Sequence, residues 1–194
     1  MMEIPRILYS SPFMGNYFCE IAHYNMAFVA IAKNAVTYLK SLAIYAKTGT
    51  VVSDKEEIHE VVGYSSMNGY LYPVKQLDGE WGNGIMKFAV WRDPVERLVS
   101  CYKFFCLEKE NRYYFRYLDL YGDNSFDRFM EFVRFELGKT NPLYQDEHIR
   151  RQSDYYSPED VDYIVPIKFL NRFLEEHNIP VPQKLSLIHI SEPT

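Results

Sequence analysis

Two short apolar runs in the chain are each followed by apolar residues at helical spacing. The first run covers residues 26–31 and the second covers residues 85–91. An apolar run of about four to eight residues is typical of a buried strand, whereas apolar positions three and four apart are typical of a helix packed along one side. The pattern therefore predicts two units in which a strand leads through a short loop into a helix.

The second of these helices has clear starting signals. Pro94 fits the first helical position, where its missing N–H costs nothing, and Asp93 before it can cap the helix. Glu96, three residues after Asp93, completes a capping box. We expect the helix to pack against the sheet through its apolar positions, which are Val95, Leu98, Val99 and Tyr102.

Three polar residues of the same segment, Arg92, Arg97 and Ser100, have no role in such packing. In the simplest interpretation both arginines are solvated or pair with Glu96, and Ser100 is a surface hydroxyl. In the alternative interpretation, an arginine at the strand-to-helix corner and a serine two turns into the helix hold a phosphate group.

The first corner also carries groups that suit an anion. Lys33 lies in the loop after the apolar run, and Thr37 follows four positions later at the start of the helical pattern. Backbone N–H groups at a helix N-terminus bind anions, and the lysine and the hydroxyl add a charge and a donor. The P-loop pattern G-x-x-x-x-G-K-[ST] is absent from the sequence, which disfavours an ordinary nucleotide kinase.

The two corners together resemble the donor-binding motifs of sulfotransferases. Residues 31–37 resemble the 5′-phosphosulfate loop, and residues 92–100 resemble the 3′-phosphate motif R-D-P-x-x-R-x-x-S. The resemblance is greatest to the carbohydrate sulfotransferases, a branch that includes chondroitin and heparan sulfate enzymes. It continues more weakly through a D-x-H-x-x-x-Q segment at residues 146–152, and it covers residues 24–180. Ala32 and Val36 depart from the proline and the small residue of many relatives.

This resemblance implies a donor, 3′-phosphoadenosine 5′-phosphosulfate, whose sulfuryl group passes to a hydroxyl acceptor, here of a carbohydrate, without a metal ion. The donor-binding positions that it implies are Lys33, Asn34, Ala35, Val36, Thr37, Arg92 and Ser100. By the same resemblance, Lys33 stabilises the bridging oxygen as the nucleotide leaves and Thr37 holds the 5′-phosphate. Arg92 and Ser100 hold the 3′-phosphate.

A general base must accept the proton of the acceptor, and relatives place a histidine or a glutamate between the two phosphate motifs. His59 is the only histidine in that interval. Glu57 and Glu60 beside it are substitutes, and His148 and His23 are weaker candidates outside the interval. The competing interpretation is that the acidic segment is a solvated helix face on which His59 simply lies.

The alternation of strand and helix patterns through residues 24–177 predicts an α/β fold. We expect a P-loop-like, three-layer architecture with a mostly parallel central sheet flanked by helices. A helix is predicted between a capping Ser125 and a terminating Gly138. A strand at residues 161–166 and a last helix that ends near residues 178–180 complete the pattern.

Composition agrees with a small enzyme. The chain has 194 residues, 47% of them hydrophobic, and a net charge of −5, which argues against a nucleic-acid partner. Three cysteines without paired spacing indicate reduced thiols and no zinc site. Because no apolar leader and no run of membrane-spanning length occurs, we expect a cytoplasmic protein; its oligomeric state is left open.

The end of the chain differs in character from the rest. Residues 186–194 look like a translated sequencing adapter, so we expect one sulfotransferase-like domain over residues 1–185, shortened at its C-terminus.

Two other functions stay open at this point. One is an ATP-using P-loop-like kinase or transferase, and the other is a non-catalytic nucleotide-binding or interaction module.

Overall fold

The computed structural model describes residues 16–63, 69–74 and 84–182. These residues form two compact units. One unit is the continuous segment Arg92–Asp154, and the other contains the described residues before and after it. The single domain predicted for residues 1–185 stays a prediction, and the adapter-like residues 186–194 lie outside the described part of the chain.

The discontinuous unit is built around a five-stranded sheet. Its strands are β1 (Tyr17–Ile21), β2 (Met26–Val29), β3 (Leu71–Pro73), β4 (Met86–Trp91) and β5 (Tyr163–Pro166), in the spatial order β3-β1-β2-β4-β5. Both apolar runs that predicted strands form them, as β2 and β4, and the predicted strand near residue 161 forms as β5. The α/β prediction is therefore confirmed.

The expectation of a mostly parallel sheet was wrong, because the sheet is mixed. β4 runs parallel to β2 and to β5, whereas β1 runs antiparallel to β2 and to β3. β1 and β2 form a hairpin whose turn contains His23 and Asn25 with positive φ values of 70° and 50°. A turn this short returns the chain directly beside the strand it has left, which requires antiparallel pairing.

Three helices belong to the same unit: α1 (Val36–Thr48), α2 (Lys55–Val62) and α6 (Leu170–Glu176), the last of which follows a 3₁₀ turn at Ile167–Phe169. Alternate strand residues point to opposite faces of the sheet, and all four residues of β2 are buried. Phe28 and Phe88 pack in a cluster with Leu42 of α1 and Phe173 of α6. Ala27, Val29, Ala89 and Tyr155 belong to a second cluster.

The continuous unit is helical. It contains α3 (Pro94–Tyr102), α4 (Arg112–Tyr121) and α5 (Phe126–Leu137), with a π-helical segment at Lys103–Leu107 and 3₁₀ turns at Pro142–Tyr144 and Gln152–Asp154. A further 3₁₀ turn, Pro158–Asp160, belongs to the sheet-containing unit. Aromatic rings form the helical unit's core, with Phe132 packed on Phe105, Tyr117 and Phe129.

Helix α5 begins and ends where the sequence predicts. The side chain of Ser125 accepts a hydrogen bond from the backbone N–H of Arg128, and Gly138 follows the last helical residue. Side chains on one face of the helix are fully buried in the aromatic core. The capping signals of this segment are thus confirmed.

Helix α3 begins as predicted but buries a different face. Asp93 caps it by accepting hydrogen bonds from the backbone N–H groups of Val95 and Glu96. The prediction that Val95 and Val99 pack inward was wrong, since these side chains are 68% and 40% exposed. Arg97 is buried instead, because its guanidinium has backbone carbonyl partners inside the unit.

Candidate functional site

The loop between β2 and α1 has an unusual backbone. Lys33 and Ala35 have positive φ values of 66° and 59°, a conformation that costs a residue with a side chain on the order of 1–2 kcal/mol. Between them, Asn34 is buried and its side-chain amide donates a 2.6 Å hydrogen bond to the carbonyl of Val90 in β4. Alternation of left-handed residues in a turn aligns backbone N–H groups, and such concave loops bind anions.

Helix α1 starts directly after this loop with no negative group at its N-terminus. Its N-cap residue, Ala35, supplies no side-chain hydrogen bond, and no acidic residue lies in the first turn. The positive end of the helix dipole is therefore not offset by a side chain of that turn. Thr37 lies in the first turn and is half-buried. The loop and the helix start thus combine a lysine, a hydroxyl and oriented backbone dipoles.

The structure brings His59 to this helix. His59 lies on α2, whose N-cap Asp54 accepts a hydrogen bond from the backbone N–H of Glu57. The imidazole Nε2 is 3.5 Å from Oγ1 of Thr37, and Nδ1 is 3.3 Å from Nζ of Lys40. His59 is therefore half-buried and in contact with α1 rather than lying on a solvated face.

The alternative bases have different surroundings. Glu57 and Glu60 are exposed on α2, and His23 is exposed in the hairpin turn between β1 and β2. His148 is buried in the helical unit, where its Nδ1 lies 2.9 Å from a carboxylate oxygen of Asp146. The ring of His148 stacks on Phe104 at 4.9 Å between centroids.

Lys40 is a site residue that the sequence interpretation missed. It is only 6% exposed, although it carries a charge. Its Nζ lies 3.3 Å from Nδ1 of His59, so Lys40 contacts one ring nitrogen while Nε2 faces Thr37. The only sequence signal was a lysine inside an otherwise apolar helical stretch.

The helical unit contains Arg92 and Ser100. Arg92 follows the last residue of β4 and is half-buried, as is Ser100 on α3. The backbone N–H of Arg92 donates to Oε1 of Gln152 at 2.9 Å, and the amide nitrogen of Gln152 donates to the Arg92 carbonyl at 2.7 Å. Both the backbone N–H and the backbone carbonyl of Arg92 are thereby hydrogen-bonded to the Gln152 side chain.

Residues 146–152 are also bonded to helix α3. Arg97 donates from Nη1 to the Arg150 carbonyl at 2.8 Å and from Nη2 to the Glu147 carbonyl at 3.2 Å. The thiol of Cys101 donates to the carbonyl of His148 at 3.1 Å. The guanidinium of Arg97 is therefore bonded to backbone carbonyls inside the protein. The interpretation in which Arg97 is solvated or pairs with Glu96 was wrong. The D-x-H-x-x-x-Q segment is the part of the chain that receives these bonds.

A buried carboxylate lies beside this segment. Glu136 is 1% exposed; its oxygens accept hydrogen bonds from Nζ of Lys139 at 2.7 Å and from the backbone N–H of Asp146 at 2.6 Å. Burial is the largest influence on this group and raises its pKa, while Lys139 acts in the opposite direction.

The raised pKa of Glu136 predicts a pH-dependent stability. The folded protein holds this proton more tightly than the unfolded chain, so the contribution of Glu136 to the free energy of unfolding falls as pH rises above the ordinary value of 4.5. Over this range we expect the unfolding free energy of the wild type, minus that of Glu136→Gln, to fall as pH rises. Urea titrations at several pH values measure it, and a difference that rises with pH would contradict the assignment.

The described residues contain neither a metal-binding cluster nor a membrane-spanning helix. Within residues 16–63, 69–74 and 84–182, no group of three or more His, Cys, Asp and Glu side chains is placed to hold a metal ion. In the same residues no helix is long and apolar enough to cross a membrane. Cys19, Cys101 and Cys106 are buried as free thiols, and burial raises the pKa of Cys19 to about 12.

Comparison with known proteins identifies a family for this chain. Residues 17–178 match the model of a family described as the sulfotransferase family. This range includes both corner motifs, His59 and the segment at residues 146–152. Neither the curated proteins nor the solved structures gave a match.

Proposed function

Because the chain belongs to the sulfotransferase family, we propose that it transfers the sulfuryl group of 3′-phosphoadenosine 5′-phosphosulfate to a hydroxyl group of a carbohydrate acceptor. The observation that carries this proposal is the loop between β2 and α1, where Lys33 and Thr37 accompany a backbone suited to an anion. The family match spans both this loop and the Arg92 corner.

Lys33 and Thr37 are proposed to bind the 5′ end of the donor. Sulfuryl transfer places negative charge on the bridging oxygen as the nucleotide leaves, and a nearby ammonium stabilises that charge in the transition state. Thr37 offers a hydroxyl donor in the first turn of α1, and the backbone of residues 34–36 contributes further N–H groups. The bond from Asn34 to Val90 holds this loop against the end of β4.

Arg92 and Ser100 are proposed to bind the 3′-phosphate. A guanidinium group forms paired, charge-assisted hydrogen bonds with phosphate oxygens, and a hydroxyl adds one donor. Their support is the agreement of residues 92–100 with the family motif and the half-buried setting of both side chains. The exposed Val95 and Val99 take no part in this assignment.

His59 is proposed to accept the proton of the acceptor hydroxyl. It supports this role better than Glu57 or Glu60, because it contacts Thr37 whereas they are exposed to solvent. The reacting hydroxyl is proposed to be that of a carbohydrate, on the resemblance of the motifs to carbohydrate enzymes. The three buried thiols support a reducing, cytoplasmic location.

Calorimetric titration with adenosine 3′,5′-bisphosphate and with adenosine 5′-monophosphate tests the donor assignment. We expect the bisphosphate to bind more tightly, because only it has the 3′-phosphate. Arg92→Gln should weaken bisphosphate binding by about tenfold to a hundredfold, which is the range for losing hydrogen bonds to a charged group. Binding of the monophosphate should change by less than about threefold.

Ser100→Ala should weaken bisphosphate binding in the same selective way but less strongly, since it removes one neutral donor. Ser153→Ala is a suitable control because Ser153 is exposed and belongs to neither motif. A wild-type protein that binds both nucleotides equally would refute the 3′-phosphate site. Transfer of phosphate from ATP, or donor binding without transfer to any glycan, would replace the proposed activity with a kinase or a non-catalytic nucleotide-binding protein.

A further inference from the structure

We infer that Gln152 is a positioning residue for Arg92, and that it sets the preference for a 3′-phosphorylated nucleotide without touching that nucleotide. The inference rests on the proposed function. Its basis is the pair of hydrogen bonds by which one side chain holds both the N–H and the carbonyl of Arg92.

The chemistry of the contact requires a carboxamide. The oxygen Oε1 accepts from the Arg92 N–H at 2.9 Å, while the nitrogen Nε2 donates to the Arg92 carbonyl at 2.7 Å. A carboxylate would set a second oxygen against the carbonyl, and a hydrocarbon side chain would satisfy neither group. Gln152 therefore bonds to Arg92 as a neighbouring peptide group does in a sheet, one residue beyond the end of β4.

Gln152 is itself held in place. It begins the 3₁₀ turn Gln152–Asp154, and the residues before it are bonded to α3 through their carbonyl groups. The donor in two of these bonds is the buried guanidinium of Arg97, and a third donor is the thiol of Cys101. α3 begins two residues after Arg92, so the main chain at Arg92 is held both by the carboxamide of Gln152 and by the start of this helix.

Removing the carboxamide should free the backbone dihedral angles of Arg92. The guanidinium would then sample several directions, and binding a 3′-phosphate would require it to be ordered again. The loss should be confined to ligands that carry the 3′-phosphate, since Gln152 is inferred to act through Arg92 alone. A general structural role would weaken all nucleotides alike.

The test uses Gln152→Met, which keeps the length of the side chain and removes both hydrogen bonds. In calorimetric titrations we expect adenosine 3′,5′-bisphosphate to bind about fivefold to thirtyfold more weakly than to the wild type. Adenosine 5′-monophosphate should bind within about twofold of its wild-type affinity. The control Ser153→Ala should leave both affinities unchanged, because Ser153 is exposed beside Gln152.

Equal weakening of the two nucleotides, or no weakening of either, would overturn the inference. A wild-type protein without preference for the bisphosphate would instead refute the proposed 3′-phosphate site, so the two failures are distinguishable. If Gln152→Met does not fold, Gln152→Asn decides the question, since it keeps the amide but shortens its reach. It should show the same selectivity with a smaller loss, and unselective weakening would count against Gln152.

Discussion

Replacement of His59 by alanine is expected to lower the rate constant for sulfuryl transfer by about two to four orders of magnitude, the usual contribution of a positioned general base. Affinity for adenosine 3′,5′-bisphosphate should fall far less, because the product nucleotide lacks the acceptor on which His59 acts. Steady-state transfer of radiolabelled sulfate to a glycan acceptor measures the rate. Calorimetry measures the affinity.

The contact between His59 and Thr37 allows a different role for His59, which the same two measurements distinguish from that of a base. If His59→Ala weakened nucleotide binding but left the transfer rate intact, the residue would serve to hold Thr37 through Nε2. Near-wild-type values of both quantities would remove His59 from the site. Glu56→Gln is the matched control, because Glu56 is exposed on the same helix. A large loss of rate in Glu57→Gln or Glu60→Gln would transfer the role of base to that glutamate.

Replacement of Lys33 by methionine should reduce the transfer rate by about a hundredfold to a thousandfold. This is the range observed when one group that stabilises developing negative charge is removed from an active site. Binding of the donor should weaken by only about tenfold, since the backbone of the loop and the first turn of α1 remain. Single-turnover measurements at saturating donor separate the two effects.

Lys55→Met provides the control for Lys33, because it removes the same charge from an exposed position on α2. A loss of affinity in Lys33→Met without a loss of rate would mean that the ammonium group binds the donor but does not stabilise the leaving oxygen in the transition state. Because Lys33 has a positive φ, a circular dichroism melt should accompany the kinetics. A lower melting temperature alone would not account for a rate loss measured well below the transition.

Local signals predicted the segments next to the candidate site well. The apolar runs became β2 and β4, and the capping residues Asp93 and Ser125 begin α3 and α5. These features depend on a few neighbouring residues, which is why spacing and residue type suffice to recognise them. The family match over residues 17–178 confirms the class to which the motifs pointed.

The antiparallel half of the sheet could not be predicted in the same way. β1 is short and mixed in polarity, and its hairpin turn uses His23 and Asn25 at positive φ without the glycine that usually marks such a turn. β3 has only three residues and pairs with β1 across about fifty residues of chain. Strand pairing of this kind depends on the assembled core rather than on local sequence.

The burial of certain polar residues could not be predicted from residue spacing in the sequence either. Arginine and lysine are usually exposed to solvent, yet Arg97 and Lys40 are buried here beside hydrogen-bonding partners elsewhere in the chain. Gln152 could be recognised as part of a motif, but its partner, the backbone of Arg92, could not. A backbone group has no residue type, so sequence patterns cannot single it out.

The bonds between Arg92 and Gln152 have a consequence for how this chain can vary in length. They join positions 60 residues apart, and the intervening segment makes up most of the connection between the paired strands β4 and β5. The entropic cost of closing a loop grows only with the logarithm of its length, by about 0.6 kcal/mol for each doubling. With its two ends fastened to each other, this connection can gain or lose helical turns while β4 and β5 keep their register.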